Sequence, residues 1–224
     1  KIANYYALKA DISARTQGGN NAGHTVIVDG KEHIFRTIPS GAFKASKICV
    51  MGNGVVIDPK FLVEELDRLK EAGIALSPEQ LKISELAQVT LKYHLDLYKY
   101  KNFRSKPIGS AFRGVGPTIV DKVSLTGIRM RDFVNPDVFR KRLKEILDKK
   151  SKEYEALYAK EENYEPLDFD AIYRECLRYA DILRPYVTDT AVYLSRAMAE
   201  DKKVVIEGAQ AIGLDVDFGA YPYI

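Results

Sequence analysis

A chain of 224 residues, 46% hydrophobic and 29% charged, has the composition of an ordinary globular protein, which excludes a collagen, a disulfide scaffold and a disordered tail. The net charge of +3, from 34 basic and 31 acidic residues, is too small to imply a nucleic-acid or membrane-surface partner. Cys49 and Cys176 lie far apart and read as buried thiols of a reducing compartment, and no stretch reaches the ~18 apolar residues of a membrane span, so a cytoplasmic protein is expected.

Lys1 is not a methionine and the last residues stop just after a Gly-rich turn. The chain is therefore read as part of a longer one, with 1–224 as one unit and 135–200 as its largely helical subregion. From the start, Ile2 to Lys9 reads as a helix and Asp11 to Thr16 as a short strand. Thr25 to Val28 and His33 to Thr37 read as two strands joined by the hairpin signal Asp29-Gly30. Ile48 to Met51 is a buried strand, and Pro59 opens a helix with Leu62, Leu66 and Leu69 on one face. A second helix is expected over Leu86 to Tyr98, and Pro117 is placed as the first residue of another. Long helices follow from Asn135 to Tyr158 and from Asp168 to Leu183, the first charged all round and therefore peripheral. Val187, Ala191, Leu194 and Met198 continue the helical spacing. Lys203 to Glu207 ends in an apolar run typical of a strand buried on both faces. Strands alternating with helices predict an α/β fold with a mostly parallel sheet and a helical insertion.

Three loops can carry chemistry. Gln17 to Thr25 combines two glycines, Asn20, Asn21 and Gly23-His24, a nest of backbone N–H groups suited to an anion with a proton-exchanging imidazole at its end. Arg113 to Lys122 is a glycine-rich turn feeding a helix N-terminus, flanked by two cations. Glu207-Gly208-Ala209-Gln210 follows an apolar strand, where open parallel sheets place their ligands, and Gln210 has both a donor and an acceptor. Each alone is equally readable as a tight turn. His33 and His94 read as structural or solvated, and the aromatic-basic tract Tyr98 to Arg104 as a solvated helix end.

Taken together and in order, QGGNNAGHT (17–25), IPSG (38–41), GNGVVIDP (52–59), RGVGPTIVDK (113–122), TGIRMRDF (126–133), RPYVTDT (184–190) and EGAQ with LDVDFGAYPY (207–223) resemble the adenylosuccinate synthetase family over the whole chain. The resemblance implies a P-loop-related nucleotide-binding architecture. It also implies a GTP- and Mg²⁺-dependent ligase of purine nucleotide biosynthesis. In that reaction an aspartate in a loop ahead of Lys1 takes the N1 proton of IMP, O6 attacks the γ-phosphate of GTP, and L-aspartate displaces phosphate to give adenylosuccinate. By resemblance His24 is the acid that steadies the moving phosphoryl group, with Lys122 as a second catalytic residue. The Gly23 carbonyl meets Mg²⁺, and Thr25 lies by the GTP phosphates. Asn21 and Gln210 hold the purine nucleotide, together with position 111. There Ala111 stands where the family has a threonine on the IMP 5′-phosphate. Leu125 stands where it has an arginine lent by a neighbouring subunit, which is why a homodimer is expected. Ile119 replaces a usual tyrosine and Ala211 a usual glycine. These departures keep open a divergent relative acting on another 6-oxopurine, or a non-catalytic nucleotide-binding homologue.

Overall fold

The computed structural model describes residues 2–28, 31–44, 47–100, 113–160 and 164–224. Helix α1 (Ile2–Lys9) leads into strand β1 (Ile12–Gly18), then the ribbon β2 (His24–Val28) and β3 (Lys31–Phe35), a 3-10 turn over Ser40–Phe43, and the long strand β4 (Ile48–Ile57). Helix α2 (Pro59–Glu71) follows, then β5 (Leu81–Ser84), β6 (Gln88–Val89), α3 (Lys92–Tyr100), α4 (Val115–Val123) and the single turn α5 (Met130–Phe133). The chain then runs through α6 (Pro136–Tyr158), α7 (Phe169–Leu183), β7 (Val187–Thr188), α8 (Thr190–Ala199) and β8 (Val204–Glu207). Five strands form a sheet in the order β7-β5-β4-β1-β8, β6 joins the far end of β4, and every neighbouring pair is parallel. The mostly parallel α/β sheet expected from the sequence is thus present. The carboxyl ends of its strands all open on one edge, where the loops after β1 and β8 begin and where Val115 of α4 packs on Gly19.

Burial follows the alternation of the strands. Ile12, Ala14 and Val50 point to one face, against Ala197, Tyr193 and Leu194 of α8. Cys49, Met51, Leu81 and Ile83 point to the other, against Leu62 and Leu69 of α2 and the larger core built with α6 and α7. Both cysteines are free and buried, as expected, and burial pushes the Cys176 thiol up to about 12. The helices start on side-chain caps. Asp58 accepts from the Phe61 N–H, Asn135 from Val138, Asp168 from Ala171, and Asp189 from both Ala191 and Val192. Each cap satisfies donors the helix cannot and contributes about 1 kcal/mol.

Several expectations need correction. The span from Leu86 is not helical until Lys92. Its Ala87–Thr90 backbone instead bonds laterally, with Thr90 N–H on Ile57 O and Met130 N–H on Ala87 O, which ties β4 to α5. Helix α4 begins at Val115, so Pro117 is its third residue, where an N–H also has no helical acceptor. Val187-Thr188 is a strand, and the helix that follows starts at Thr190 behind its Asp189 cap. Among the described residues strand β8 pairs only with β1 and is not buried on both faces, with Ile206 67% exposed. Helix α6 is not peripheral: Phe139, Leu143, Ile146, Leu147, Tyr154 and Tyr158 recur at helical spacing and are buried. The Asp29-Gly30 turn and the end of the Tyr98 to Arg104 tract lie outside the described residues, although β2 and β3 do pair antiparallel. No helix of the described residues is long and apolar enough to cross a membrane.

The packing of α6 generates a direct test. Phe139 is fully buried, edge-on to Phe133 at 5.0 Å and stacked on Tyr173 at 5.7 Å. Phe139→Ala is expected to cost about 3–5 kcal/mol in urea unfolding, whereas Lys141→Ala, on the exposed face, should stay within about 0.5 kcal/mol.

Candidate active site

Strand β1 ends by passing over its own buried cation. Arg15 is fully buried; its Nη2 donates to Gly19 O at 3.2 Å, its Nε to Gln17 O at 3.4 Å, and its Nη1 to Arg36 O. The guanidinium therefore ties the glycine loop to the chain leaving β3. Burial lowers its proton affinity, and the carboxylates of Glu207 and Glu65 oppose that effect. Above it Gly18 adopts φ +79°, and a Cβ there would come 2.3 Å from Ala209 Cβ. Only glycine takes that backbone and that approach, so the Gln17–Thr25 loop packs against the turn after β8. Two of the three loops chosen from sequence are thereby joined.

The chemical centre of this junction is a carboxylate. Glu207, the last residue of β8, stands opposite Arg15 in the sheet register. Its Oε1 lies 2.7 Å from His24 Nδ1, and its Oε2 accepts from the Ser40 N–H at 2.9 Å and the Ser40 hydroxyl at 2.5 Å. Burial alone would raise its proton affinity; the contacts from His24 and Ser40 outweigh that and hold it below the usual carboxylate range. An ionised carboxylate at Nδ1 fixes the imidazole, and Nε2, on the opposite side of the ring, faces away from Glu207. The His24 side chain remains 25% exposed, so that nitrogen can meet a ligand.

The other expected residues sit around this pair. Gly23, Thr25 and Asn21 are exposed on the loop and at the start of β2. Asn20 is buried, and its Nδ2 has no acceptor among the described residues. Gln210 is half-buried and donates to Asp215 Oδ2 at 3.3 Å, part of a turn in which Asp215 Oδ1 also accepts from the Asp217 and Phe218 N–H groups. Lys122 reaches the far side of β1. There Gly52 and Asn53 of β4 stand opposite Thr16 alone, and Lys122 Nζ donates to the Asn53 carbonyl at 3.4 Å. None of the hydrogen bonds or ion pairs of the described residues joins Lys122 to His24. Ala111 lies outside the described residues.

Helix α4 is locked from behind. Gly114 caps it at φ +73°, where a Cβ would meet Thr90 Cγ2 at 2.7 Å, and the Thr118 and Thr90 hydroxyls pair at 3.0 Å. Asp121 is buried and accepts from Tyr93 OH at 2.8 Å, faces His94 Nε2 at 3.1 Å and pairs with Lys150 at 3.2 Å. His94 is therefore structural, one of the two readings open to it. Burial lowers its proton affinity, and its Nδ1 accepts from the Leu91 N–H at 2.9 Å.

Sequence reasoning missed three contributors. Glu207 lay inside a chosen run, but the role went to Gln210; the available signal was an acid closing an apolar parallel strand. Ser40 belongs to the IPSG run and carried no assigned role. Arg15 reads as an ordinary strand residue, and only the sheet shows that it is buried.

The model of the adenylosuccinate synthetase family matches residues 1–224. The chain is 43% identical over its whole length to an adenylosuccinate synthetase of Caldanaerobacter subterraneus and 45% identical to one of Clostridium novyi, covering 52% of each. It superposes over 100% of its length on 51% of the chain of the fully ligated adenylosuccinate synthetase of Plasmodium falciparum, with TM-score 0.85 and 31% identity. A cyanophage S-2L succinoaminodeoxyadenylate synthetase, 21% identical with TM-score 0.57 over 99% of this chain and 50% of its own, shares the fold. The chain spans about half the length of the relatives it matches. With the glycine loop, the strand-end carboxylate and the α4 turn at one sheet edge, and with this similarity end to end, the chain belongs to the adenylosuccinate synthetase family.

Proposed function

We propose that the full-length protein is a GTP-dependent ligase that joins L-aspartate to C6 of IMP through a 6-phosphoryl intermediate, giving adenylosuccinate. The observation that carries this reading is the His24–Glu207 pair at the carboxyl ends of parallel strands, in a chain of this family. A purine O6 is a poor leaving group until it is phosphorylated, and phosphoryl transfer depends chiefly on positioning and charge neutralisation. Glu207 orients His24, so that Nε2 can donate to the phosphoryl oxygens as charge shifts between them. Asn21 and Gln210 serve the purine nucleotide, with position 111 at its phosphate; Thr25 serves the GTP phosphates, and Lys122 adds a cation from the α4 side. The proton at N1 is left to an aspartate outside residues 1–224.

The oxygen donors here fit Mg²⁺ only in part. Gly23 is exposed on the loop, but no group of three His, Cys, Asp or Glu among the described residues could hold a metal ion. Gly23 would supply one oxygen, with substrate phosphates and residues elsewhere supplying the others, a mode common for this hard cation. When bound, Mg²⁺ would neutralise phosphate charge. A cytoplasmic homodimer is the assembly proposed with this activity.

The test uses the full-length protein. GDP and phosphate should form only when a 6-oxopurine nucleotide and L-aspartate are both present, with adenylosuccinate identified by mass; GTP turnover independent of both overturns the reading. One observation favours a variant substrate. Leu125, at the family's arginine position, is 85% exposed at φ +61°, with no charge to offer a 5′-phosphate. Comparing IMP, inosine and dGMP separates the two.

His24→Asn is expected to lower kcat about 10²–10⁴-fold while GTP affinity stays within about threefold, read by single-turnover kinetics and calorimetry. Glu207→Gln should also lower kcat, and it has a second signature. Because the folded-state proton affinity of Glu207 is depressed, its ionised form contributes stability above its unfolded pKa of about 4.3, and that contribution is lost as the pH falls through the folded value. The stability difference between wild type and Glu207→Gln should therefore be full near pH 7 and shrink below about pH 4 in parallel urea titrations.

A further inference from the structure

The β2–β3 ribbon has two faces, and the register assigns each residue to one of them. His24 pairs with Phe35 and Val26 with His33, so these share the face that buries Phe35 and Val26. Thr25 pairs with Ile34, and both lie on the opposite face, which is exposed. Arg36 follows Phe35 and, by alternation, joins Thr25 on that exposed face. Its guanidinium lies against Gly23: a Cβ built on Gly23 would sit 3.4 Å from Arg36 Nη1 and 3.6 Å from Cζ.

The backbone of Arg36 is held from both sides. Its N–H donates to Glu65 Oε1 at 2.5 Å, and its carbonyl accepts from buried Arg15. Glu65 directs both carboxylate oxygens at the backbone N–H groups of Arg36 and Thr37, which leaves the guanidinium without an ion-pair partner among the described residues. A half-buried cation on a fixed backbone, unpaired, beside a glycine–asparagine turn, suits a polyanion. The same turn holds the Asn20 amide, which has no acceptor among the described residues.

We infer that Arg36 is a ligand-binding residue of this crevice, its guanidinium gripping the phosphate chain of a nucleoside triphosphate where that chain passes the Gly23–Thr25 edge. This inference rests on the reading of the crevice as a nucleotide site. It adds a charge on the Thr25 side of the ribbon, opposite to the face from which Glu207 holds His24. The purine monophosphate, placed at Asn21 and Gln210, should not depend on it.

Arg36→Gln and Arg36→Lys keep every backbone contact, and melting temperatures should confirm that both variants fold like wild type. Binding to the full-length protein is measured by calorimetry with Mg²⁺ for GTP, for IMP and for inorganic tripolyphosphate. Arg36→Gln should weaken GTP and tripolyphosphate at least tenfold, leave IMP within threefold, and be partly rescued in Arg36→Lys. Equal GTP affinity in wild type and Arg36→Gln overturns the inference while leaving the nucleotide site intact. Equal loss of GTP and IMP overturns it too, since the residue would then be shaping the whole crevice. If wild type binds no GTP, the nucleotide reading fails; tripolyphosphate binding that still requires Arg36 then upholds the anion grip alone, and its absence removes both.

Discussion

The carboxylate of Glu207 is the constraint on which this edge of the sheet depends. It is buried at the end of strand β8, next to fully buried Arg15, and every oxygen contact it makes comes from a different part of the chain: His24 from the ribbon, Ser40 from the 3-10 turn. Bringing such a charge out of water costs several kcal/mol, which an ion pair alone seldom recovers. The cost is met because Arg15, Glu65 and Glu207 form an alternating series of buried charges whose remaining hydrogen-bonding capacity goes to backbone groups and, for Glu207, also to His24 and the Ser40 hydroxyl. Those backbone groups belong to the segments that shape the crevice. The same electrostatics that make the burial tolerable therefore also fix the glycine loop, the chain leaving β3 and the imidazole.

Much of the architecture was legible from residue patterns. Glycine pairs, the Asp-Pro and Asn-Pro helix starts and the short apolar strands all signal local conformations that no tertiary contact overrides here. The misreadings have a common physical origin. Leu86–Thr90 looks like the first turn of the helix because its polarity suits one, but its backbone groups find better partners across the sheet, on Ile57, Ile128 and Met130. Helix α6 looks peripheral because lysines and glutamates dominate its count. Burial is decided by the narrow stripe from Phe139 to Tyr158, and charged neighbours on the other face cost nothing. Strand β8 reads as doubly buried because Val204, Val205 and Ile206 are apolar; among the described residues it pairs with β1 alone, in a chain that spans about half the length of its relatives.

The site was legible in its loops and illegible in its links. His24 stands out beside glycines and asparagines, whereas its partner is 183 positions away and meets it only through the parallel pairing of β8 with β1. Arg15 is similar: a cation in a strand signals an exposed edge, and only the convergence of three backbone carbonyls around it makes burial possible.

The α4 side of the crevice solves a different problem. Helix α4 is held through Asp121, on the side away from Lys122. Because His94 Nδ1 accepts from the Leu91 N–H, its proton sits on Nε2, and the neutral ring donates to Asp121. With Tyr93 and Lys150 on the same carboxylate, Asp121 joins α3 and α6 to α4, while its carbonyl receives the Thr126 and Gly127 N–H groups and sets the turn that follows. Lys122, one residue on, points the other way, to Asn53 at the irregular step between β1 and β4. This polar network lies on the side of α4 away from Asn53. On the other side Lys122 makes one hydrogen bond among the described residues, a long one at 3.4 Å to the Asn53 carbonyl.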